Sequence, residues 1–335
     1  MPAIVFFETQ QGDRPFYNKQ LKDNKIIYRD DILHSDSVQN LHETEILSVF
    51  VHSQITEAIL DQLPNLKMIT TRSSGFNHID VDAARKRGIP VSYVPVYGEN
   101  TVAEHTFALM LALSRNVHKA YLRTIRENFS LDGLQGIDLK GKTLAVVGAG
   151  RIGLHVIKIA RGFDMQVLAV DHTPDPFLAE VLQFSFVPLA EALARADIIS
   201  LHAPLNKETR HLLNSKNIPT IKKGALLINT ARGELVETEA LLAALNDGTI
   251  AGAGLDVLEG EELFVEEEKL FAPETTPETL STVLKNHMLL NREDVVITPH
   301  IGFDSREAVH RIRETTAANI QSFLAGSPQN LVKDP

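Results

Sequence analysis

Gly148-Ala149-Gly150-Arg151-Ile152-Gly153 follows the apolar run Thr143–Val147 and opens a helical pattern over Arg151–Arg161. A strand that turns through three glycines into a helix has a specific use. The first glycine permits a tight turn, the second lets a pyrophosphate approach the backbone, and the third allows the helix to pack closely on the strand. The helix N-terminus, at Arg151 and Ile152, adds free N–H groups and the positive end of its dipole. The next apolar run, Gln166–Val170, ends at Asp171, 18 residues after Gly153, where a carboxylate can accept hydrogen bonds from a ribose diol. The alternative for Asp171 is a cap on the turn His172-Thr173-Pro174. Turn and acid together point to a dinucleotide, and the acid favours NAD over NADP, whose 2′-phosphate would bring like charge to the same place.

Outward from this turn the same grammar repeats. Short β-branched runs, Ala3–Phe7, Ile46–Val51, Met68–Thr71, Ile198–Leu201, Ala225–Ile228 and Ala251–Leu255, alternate with helical patterns. Strands of this kind separated by helices predict a parallel sheet buried on both faces. The stretch from Asn100 to about Arg123 reads as one long helix joining two domains, and Ser305–Phe323 as another that stops at Gly326-Ser327-Pro328. Leu263–Asn291, acidic and then mixed, fits either an insertion or a surface helix pair.

Length and composition set the frame. The 335 residues suit two domains or one large one, and 44% apolar with 23% charged residues excludes a disordered or fibrous chain. With 33 Lys and Arg against 43 Asp and Glu the formal charge is −10, which repels polyphosphate, so neither nucleic acid nor an anionic membrane is an expected partner. The absence of cysteine removes disulfides, thiolate nucleophiles and Cys-ligated metal centres, and no metal site is expected. The start MPAIVFFETQQGDRP lacks a basic leader region, and the longest apolar stretch, Phe107–Leu113, is too short to span a bilayer, so the expected location is cytoplasmic.

Three more segments follow apolar strands. Ile228-Asn229-Thr230-Ala231-Arg232-Gly233 puts a guanidinium where a doubly wound sheet opens its crevice, and Arg forks onto carboxylates. A surface ion pair is the alternative for a single Arg there. Gly254-Leu255-Asp256-Val257-Leu258-Glu259-Gly260-Glu261 supplies three carboxylates, which could equally form a solvated acidic loop continued by Glu262 and Glu266–Glu268. Thr298-Pro299-His300-Ile301-Gly302 ends a strand in an imidazole, the usual proton carrier near neutral pH.

In order and spacing these motifs resemble the D-isomer-specific 2-hydroxyacid dehydrogenase family, from about Met68 to Gly302 and more loosely at both ends. The resemblance implies two Rossmann-like, doubly wound parallel-sheet α/β domains. The NAD-binding domain, 101–300, is inserted into a substrate domain built from 1–100 and 301–335, with substrate in the cleft between them. It implies hydride transfer between C4 of NADH and C2 of a small 2-oxo acid. Arg232 is expected to bind the substrate carboxylate and carbonyl, His300 to protonate the carbonyl oxygen, and Glu261, five residues after Asp256, to pair with His300 and favour the imidazolium. Backbone amides at Ser74 and Gly75, in Arg72-Ser73-Ser74-Gly75-Phe76-Asn77-His78, and the Tyr97 side chain are expected substrate contacts. Val102, His202-Ala203-Pro204, Thr230, Ala231, Arg232, Asp256, His300 and Gly302 join Gly148, Gly150, Arg151, Ile152, Gly153 and Asp171 as expected cofactor contacts. Tyr97 and the long stretch from Glu261 to His300 are most similar to the family's D-lactate dehydrogenases, whereas Phe303-Asp304 and Ser74 depart from that pattern. Pyruvate, hydroxypyruvate, glyoxylate and a bulkier branched 2-oxo acid therefore all stay open as substrates. The resemblance also implies a homodimer through the long helix. A dinucleotide-sensing corepressor-like scaffold is the alternative from another class, and no basic patch accompanies it here.

Overall fold

The computed structural model describes residues 3–261 and 276–333. The chain divides into two compact units, Met1–Gly98 with Asp304–Pro335, and Glu99–Phe303, so the second unit interrupts the first in sequence.

In the first unit β1 (Ala3–Phe6), β2 (Lys25–Tyr28), β3 (Thr44–Val49), β4 (Met68–Thr71) and β5 (Val91–Ser92) form a parallel sheet in the order β2-β1-β3-β4-β5. Alternation along each strand feeds two separate cores. Ile4, Phe6, Ile46 and Met68 pack with Tyr17 of α1 (Asp13–Gln20) and with Ile320 of the last helix, Arg306–Leu324. Val5, Leu47 and Ile69 pack on the other face with Ile59, Leu60, Ala83 and Ala84, from α2 (Glu57–Asp61) and α3 (Val81–Lys86). Both faces are thus covered, as a parallel sheet requires.

The second unit holds seven parallel strands: β6 (Thr143–Val147), β7 (Gln166–Val170), β8 (Ser185–Phe186), β9 (Ile198–Leu201), β10 (Ala225–Asn229), β11 (Ile250–Leu255) and β12 (Val295–Ile297). Their order is β12-β11-β10-β9-β6-β7-β8. The direction of winding reverses between β6 and β9, and at such a switch point a doubly wound sheet opens a crevice beyond the strands' carboxyl ends. Register aligns those ends. Val170, Val147, Leu201, Asn229, Leu255 and Ile297 are successive partners across six strands.

The expected helix from Asn100 to Arg123 is instead two, α4 (Glu99–Ser114) and α5 (Val117–Thr124). Asn116 breaks it with a left-handed φ of 52°, a conformation that Asn tolerates better than most side chains. The partners that hold the break come from farther along the chain. Asn116 Nδ2 donates to the Gln135 carbonyl at 3.2 Å, and Ile137 N donates to the Ser114 carbonyl at 2.8 Å. Of the segment 263–291, Pro277–Leu290 is helical, whereas residues 262–275, including Glu262 and Glu266–Glu268, lie outside the described residues. Among the described residues no helix is long and apolar enough to cross a membrane.

The glycine turn leads into α6 (Arg151–Gly162), whose Val156, Ile157 and Ala160 are buried. Gly153 permits this packing, because a Cβ there would stand 2.0 Å from the Gly148 carbonyl oxygen, a backbone atom that cannot swing away. Gly153→Ala is therefore expected to cost about 1–3 kcal/mol of stability through overpacking, read by urea denaturation of the cofactor-free protein. Unchanged stability would show that strand and helix can separate without penalty.

Candidate active site

The register row places the candidate residues of the second unit along one rim. One residue past it come Asp171, Gly148, His202, Thr230, Asp256 and Thr298, and two residues farther on two of those strands come Arg232 and His300. A linear sequence scatters these groups from Gly148 to His300, and the parallel sheet collects them.

His300 and Glu261 meet directly. His300 Nδ1 lies 2.6 Å from Glu261 Oε1, and both side chains are mostly buried. The other carboxylate oxygen of Glu261 accepts the Leu258 amide at 3.2 Å. An ionised carboxylate only accepts, so Nδ1 carries the hydrogen and Nε2 is left as the atom that can gain or lose a proton. His300 has a left-handed φ of 52°, which costs a non-glycine residue about 1–3 kcal/mol and persists only where surroundings enforce it. Asp256 supplies that enforcement. Its main-chain carbonyl accepts His300 N at 2.9 Å, while its carboxylate accepts Thr298 Oγ1 at 2.5 Å, Ile301 N at 2.9 Å and Gly302 N at 2.8 Å. Burial pushes the Asp256 carboxyl up, but donation from His105, Thr298 and Gly302 outweighs it and holds the group below the usual aspartate range. This carboxylate is thus occupied by the chain that carries His300.

Glu259 is equally engaged. Its carboxylate accepts His211 Nε2 at 2.7 Å and Thr238 Oγ1 at 2.9 Å, and Asn286 Nδ2 donates to its carbonyl at 2.8 Å. The three carboxylates after β11 are therefore a braced loop rather than a solvated one. Arg232 differs. Its guanidinium donates to the Ala231 carbonyl at 2.6 Å and has no carboxylate partner among the described residues. Asn229, 1% exposed, shapes this turn by accepting Ala231 N at 3.1 Å and donating to the Arg232 carbonyl at 2.8 Å. Thr230 Oγ1 lies 3.0 Å from Thr106 Oγ1, whose hydroxyl also bonds the Val102 carbonyl, tying α4 to this strand end.

The glycine turn suits a dinucleotide. Gly148 has a φ of +98° and approaches the β9 end so closely that a Cβ would stand 2.7 Å from the His202 carbonyl carbon and the Ala203 nitrogen, whereas space beyond Gly150 is open. No side chain caps α6, so its first amides are available to an anion. His202 Nε2 is 2.7 Å from Ser200 Oγ, and its buried Nδ1 has no hydrogen-bond partner among the described residues. Pro204 is exposed and Ala203 half-buried. Arg151 lies at the surface, 3.4 Å from Glu99. Asp171 accepts the Ala149 amide at 2.8 Å and the Thr173 amide at 2.9 Å. Among the described residues no group of three or more His, Cys, Asp or Glu could hold a metal ion.

In the first unit Ser74 is exposed, Gly75 half-buried, and Ser73 Oγ donates to the Gly75 carbonyl at 2.6 Å. The buried Arg72 donates to Ser48 Oγ and to the carbonyls of Phe7 and Glu8, fixing the base of this loop. Glu8 in turn accepts the amides of Phe50, His52 and Ser53. Tyr97 is half-buried, and its carbonyl accepts Arg311 Nε at 2.5 Å. The residues that sequence reasoning passed over are those that brace the loops, His105 and His211 in the second unit and Glu8 in the first, while Thr298 entered only as part of the histidine motif. His105 carried a usable signal, being one helical turn beyond Val102.

Comparisons with known proteins point to one family. The family model described as D-isomer specific 2-hydroxyacid dehydrogenase, NAD binding domain, matches residues 107–302. The D-lactate dehydrogenase of Escherichia coli is 33% identical over 98% of this chain and 99% of its own. The glyoxylate reductase of Thermofilum pendens is 38% identical over 86% of this chain and 81% of its own. The solved structure of D-lactate dehydrogenase from Aquifex aeolicus, complexed with NAD and lactic acid, is similar with a TM-score of 0.87 at 36% identity, covering 99% of both chains.

Burial pushes the His202 imidazole down from 6.5 to about 3. The unfolded chain protonates this ring below pH 6.5 and the folded chain does not, so stability is lost as pH falls from 6.5 toward 3, by up to about 1.4 kcal/mol per pH unit. His202→Gln should flatten that slope in urea denaturation of the cofactor-free protein between about pH 7 and about pH 5. Equal slopes in the two proteins would contradict a buried, neutral His202.

Proposed function

The chain belongs to the D-isomer-specific 2-hydroxyacid dehydrogenase family, is an NAD-dependent enzyme, and from that premise we propose that it interconverts a small 2-oxo acid and its D-2-hydroxy acid, pyruvate and D-lactate first among them. The observation that carries this reading is the 2.6 Å contact of His300 Nδ1 with Glu261, which leaves Nε2 as a proton carrier on the same rim as Arg232, a guanidinium with no carboxylate partner among the described residues. Residues 101–300 serve as the NAD-binding domain, and 1–100 with 301–335 as the substrate domain.

Arg232 holds the substrate carboxylate in a two-pronged contact and polarises the adjacent carbonyl. The amides of Ser74 and Gly75 and the Tyr97 side chain complete the acid's contacts. His300 Nε2 gives a proton to the carbonyl oxygen in reduction and takes one from the hydroxyl in oxidation, with Glu261 balancing the charge on the ring. Reduction thus uses the imidazolium and oxidation the neutral ring. NADH, when bound, supplies the hydride that C2 of the oxo acid receives. For the cofactor, Gly150, Arg151 and Ile152 face the pyrophosphate on the turn that Gly148 and Gly153 make possible, and Asp171 faces the adenosine ribose. Val102, His202, Ala203, Pro204, Thr230, Ala231 and Gly302 line the remainder, and Asp256 contributes through the loop it holds. The cytoplasm is the compartment that fits this chemistry.

The test is NADH consumption with pyruvate, glyoxylate, hydroxypyruvate and a branched 2-oxo acid, in the parent and in Arg232→Lys. A point ammonium cannot reproduce the fork, so the variant should lose about 2–5 kcal/mol in kcat/KM. Pyruvate as the best substrate supports the lactate reading, and glyoxylate or hydroxypyruvate as the best would move it to a reductase of those acids. Turnover of none of them, or a Lys variant as active as the parent, would overturn it.

A second copy of the chain is the proposed partner. Helix α5 has no buried residue, and Val117, Tyr121, Leu122, Ile125, Phe129 and Leu131 are 48–83% exposed. An apolar strip of this kind gains by being covered. Light scattering should give a dimer for the parent and a monomer for Tyr121→Glu with Leu131→Glu. A monomeric parent would remove the proposal.

A further inference from the structure

Among the described residues the buried Asp256 carboxylate has one donor from outside the segment that carries His300. His105 Nε2, on α4, lies 3.3 Å from Asp256 Oδ1 and 3.0 Å from Thr298 Oγ1. The Thr298 hydroxyl proton is committed to Asp256 Oδ1. Its oxygen can then only accept, so His105 Nε2 must carry a hydrogen shared between hydroxyl and carboxylate. The neutral Nε2–H tautomer and the imidazolium both provide it, and the link does not depend on the charge of the ring.

We propose that His105 is a positioning residue for His300. The proposal rests on the reading of His300 as the proton carrier. Asp256 grips the left-handed turn at His300 from both sides, through its carbonyl on His300 N and its carboxylate on the two following amides. The carboxylate keeps that grip only while its rotamer is set, and the donor that sets it from the helix side is His105. Helix α4 is a firm base, with Val102, Ala103, Thr106 and Phe107 buried around His105. Val102 and His105 are three residues apart and share a face, so one helix orients both an expected cofactor contact and the loop of the proton carrier. Losing the His105 donor loosens the Asp256 rotamer, releases the Ile301 and Gly302 amides, and lets His300 relax away from Glu261.

The test compares His105→Leu, which removes the donor at similar size, with His105→Gln, which keeps an N–H donor. Two measurements are made: steady-state kinetics with NADH and pyruvate, and hydrogen exchange of the Ile301 and Gly302 amides in the cofactor-free protein. The Leu variant should lose about 10- to 100-fold in kcat, as expected for a small misplacement of a reacting group, with KM for pyruvate little changed. Its Ile301 and Gly302 amides should exchange faster while the β6 and β9 amides keep their protection. Gln should restore both readouts most of the way. If the Leu variant does not fold, His105→Ala takes its place with the same losses expected, and parent-like kcat and exchange in it would equally overturn the proposal. Parent-like kcat and exchange in the Leu variant would overturn the proposal, as would equal losses in Leu and Gln. A parent protein that reduces no 2-oxo acid would overturn the proposed function instead, and the exchange comparison would still decide whether His105 holds the loop.

Discussion

Parallel hydrogen bonding in the second unit's sheet is the constraint on which the site depends. Because β6, β7, β9, β10, β11 and β12 all run one way, their ladders bring six carboxyl ends into a single row. Such a sheet must be buried on both faces, which commits the strand interiors to residues like Leu144, Val146, Ile199 and Leu227. Polar chemistry is then left to whatever follows the row. Asn229 marks the changeover, a buried amide in the row that closes the turn leading to Arg232.

Beyond the row the organising group is a charge. A buried carboxylate is expensive unless its acceptor sites are filled, and unpaired backbone amides are expensive too. Asp256 and the segment Thr298–Gly302 relieve each other, since the carboxylate is filled by amides and a hydroxyl that have no strand to join. That exchange also accounts for the unusual backbone of His300. A left-handed residue inside a short segment fixed at Thr298, Ile301 and Gly302 has nowhere to relax, and its ring is delivered to Glu261 as a consequence.

The sequence made legible what lies next to an apolar run and left obscure what depends on distant partners. Gly148, Asp171, Arg232 and His300 each follow a strand whose pattern is plain, and the glycine turn identified the crevice. Glu261 was reached through family resemblance, because spacing alone does not tell it from Glu259, and only the fold sends Glu259 to His211 and Glu261 to His300. Strand β2 escaped because it is a half-exposed edge strand, and β5 because it has two residues. The break at Asn116 could not be read because helical periodicity continues through it. The groups that hold it arrive about 20 residues later, at 135–137. His105 is the extreme case, since its partner Thr298 is 193 residues away.

Asp171 caps its own turn without using up its carboxylate, so the cap does not exclude the proposed ribose contact. An ionised carboxylate offers about four acceptor positions. Asp171 uses Oδ2 for the Ala149 amide and Oδ1 for the Thr173 amide and hydroxyl, so it caps its own turn and still has capacity for a further donor. Burial pushes its carboxyl up, but the Thr173 and Ala149 donors outweigh this and hold it below the usual aspartate range, so the charge that opposes a 2′-phosphate is fixed throughout the neutral range. The bond to Ala149 has a second effect, since it removes that amide from the donors available to a pyrophosphate. The anion must then be met by the uncapped amides from Gly150 onward, and the open space over Gly150 is where such an anion can reach them. The hydrogen bond between these neighbouring strand ends thus leaves Asp171 one role in its own turn and limits which amides of the glycine turn stay free for an anion.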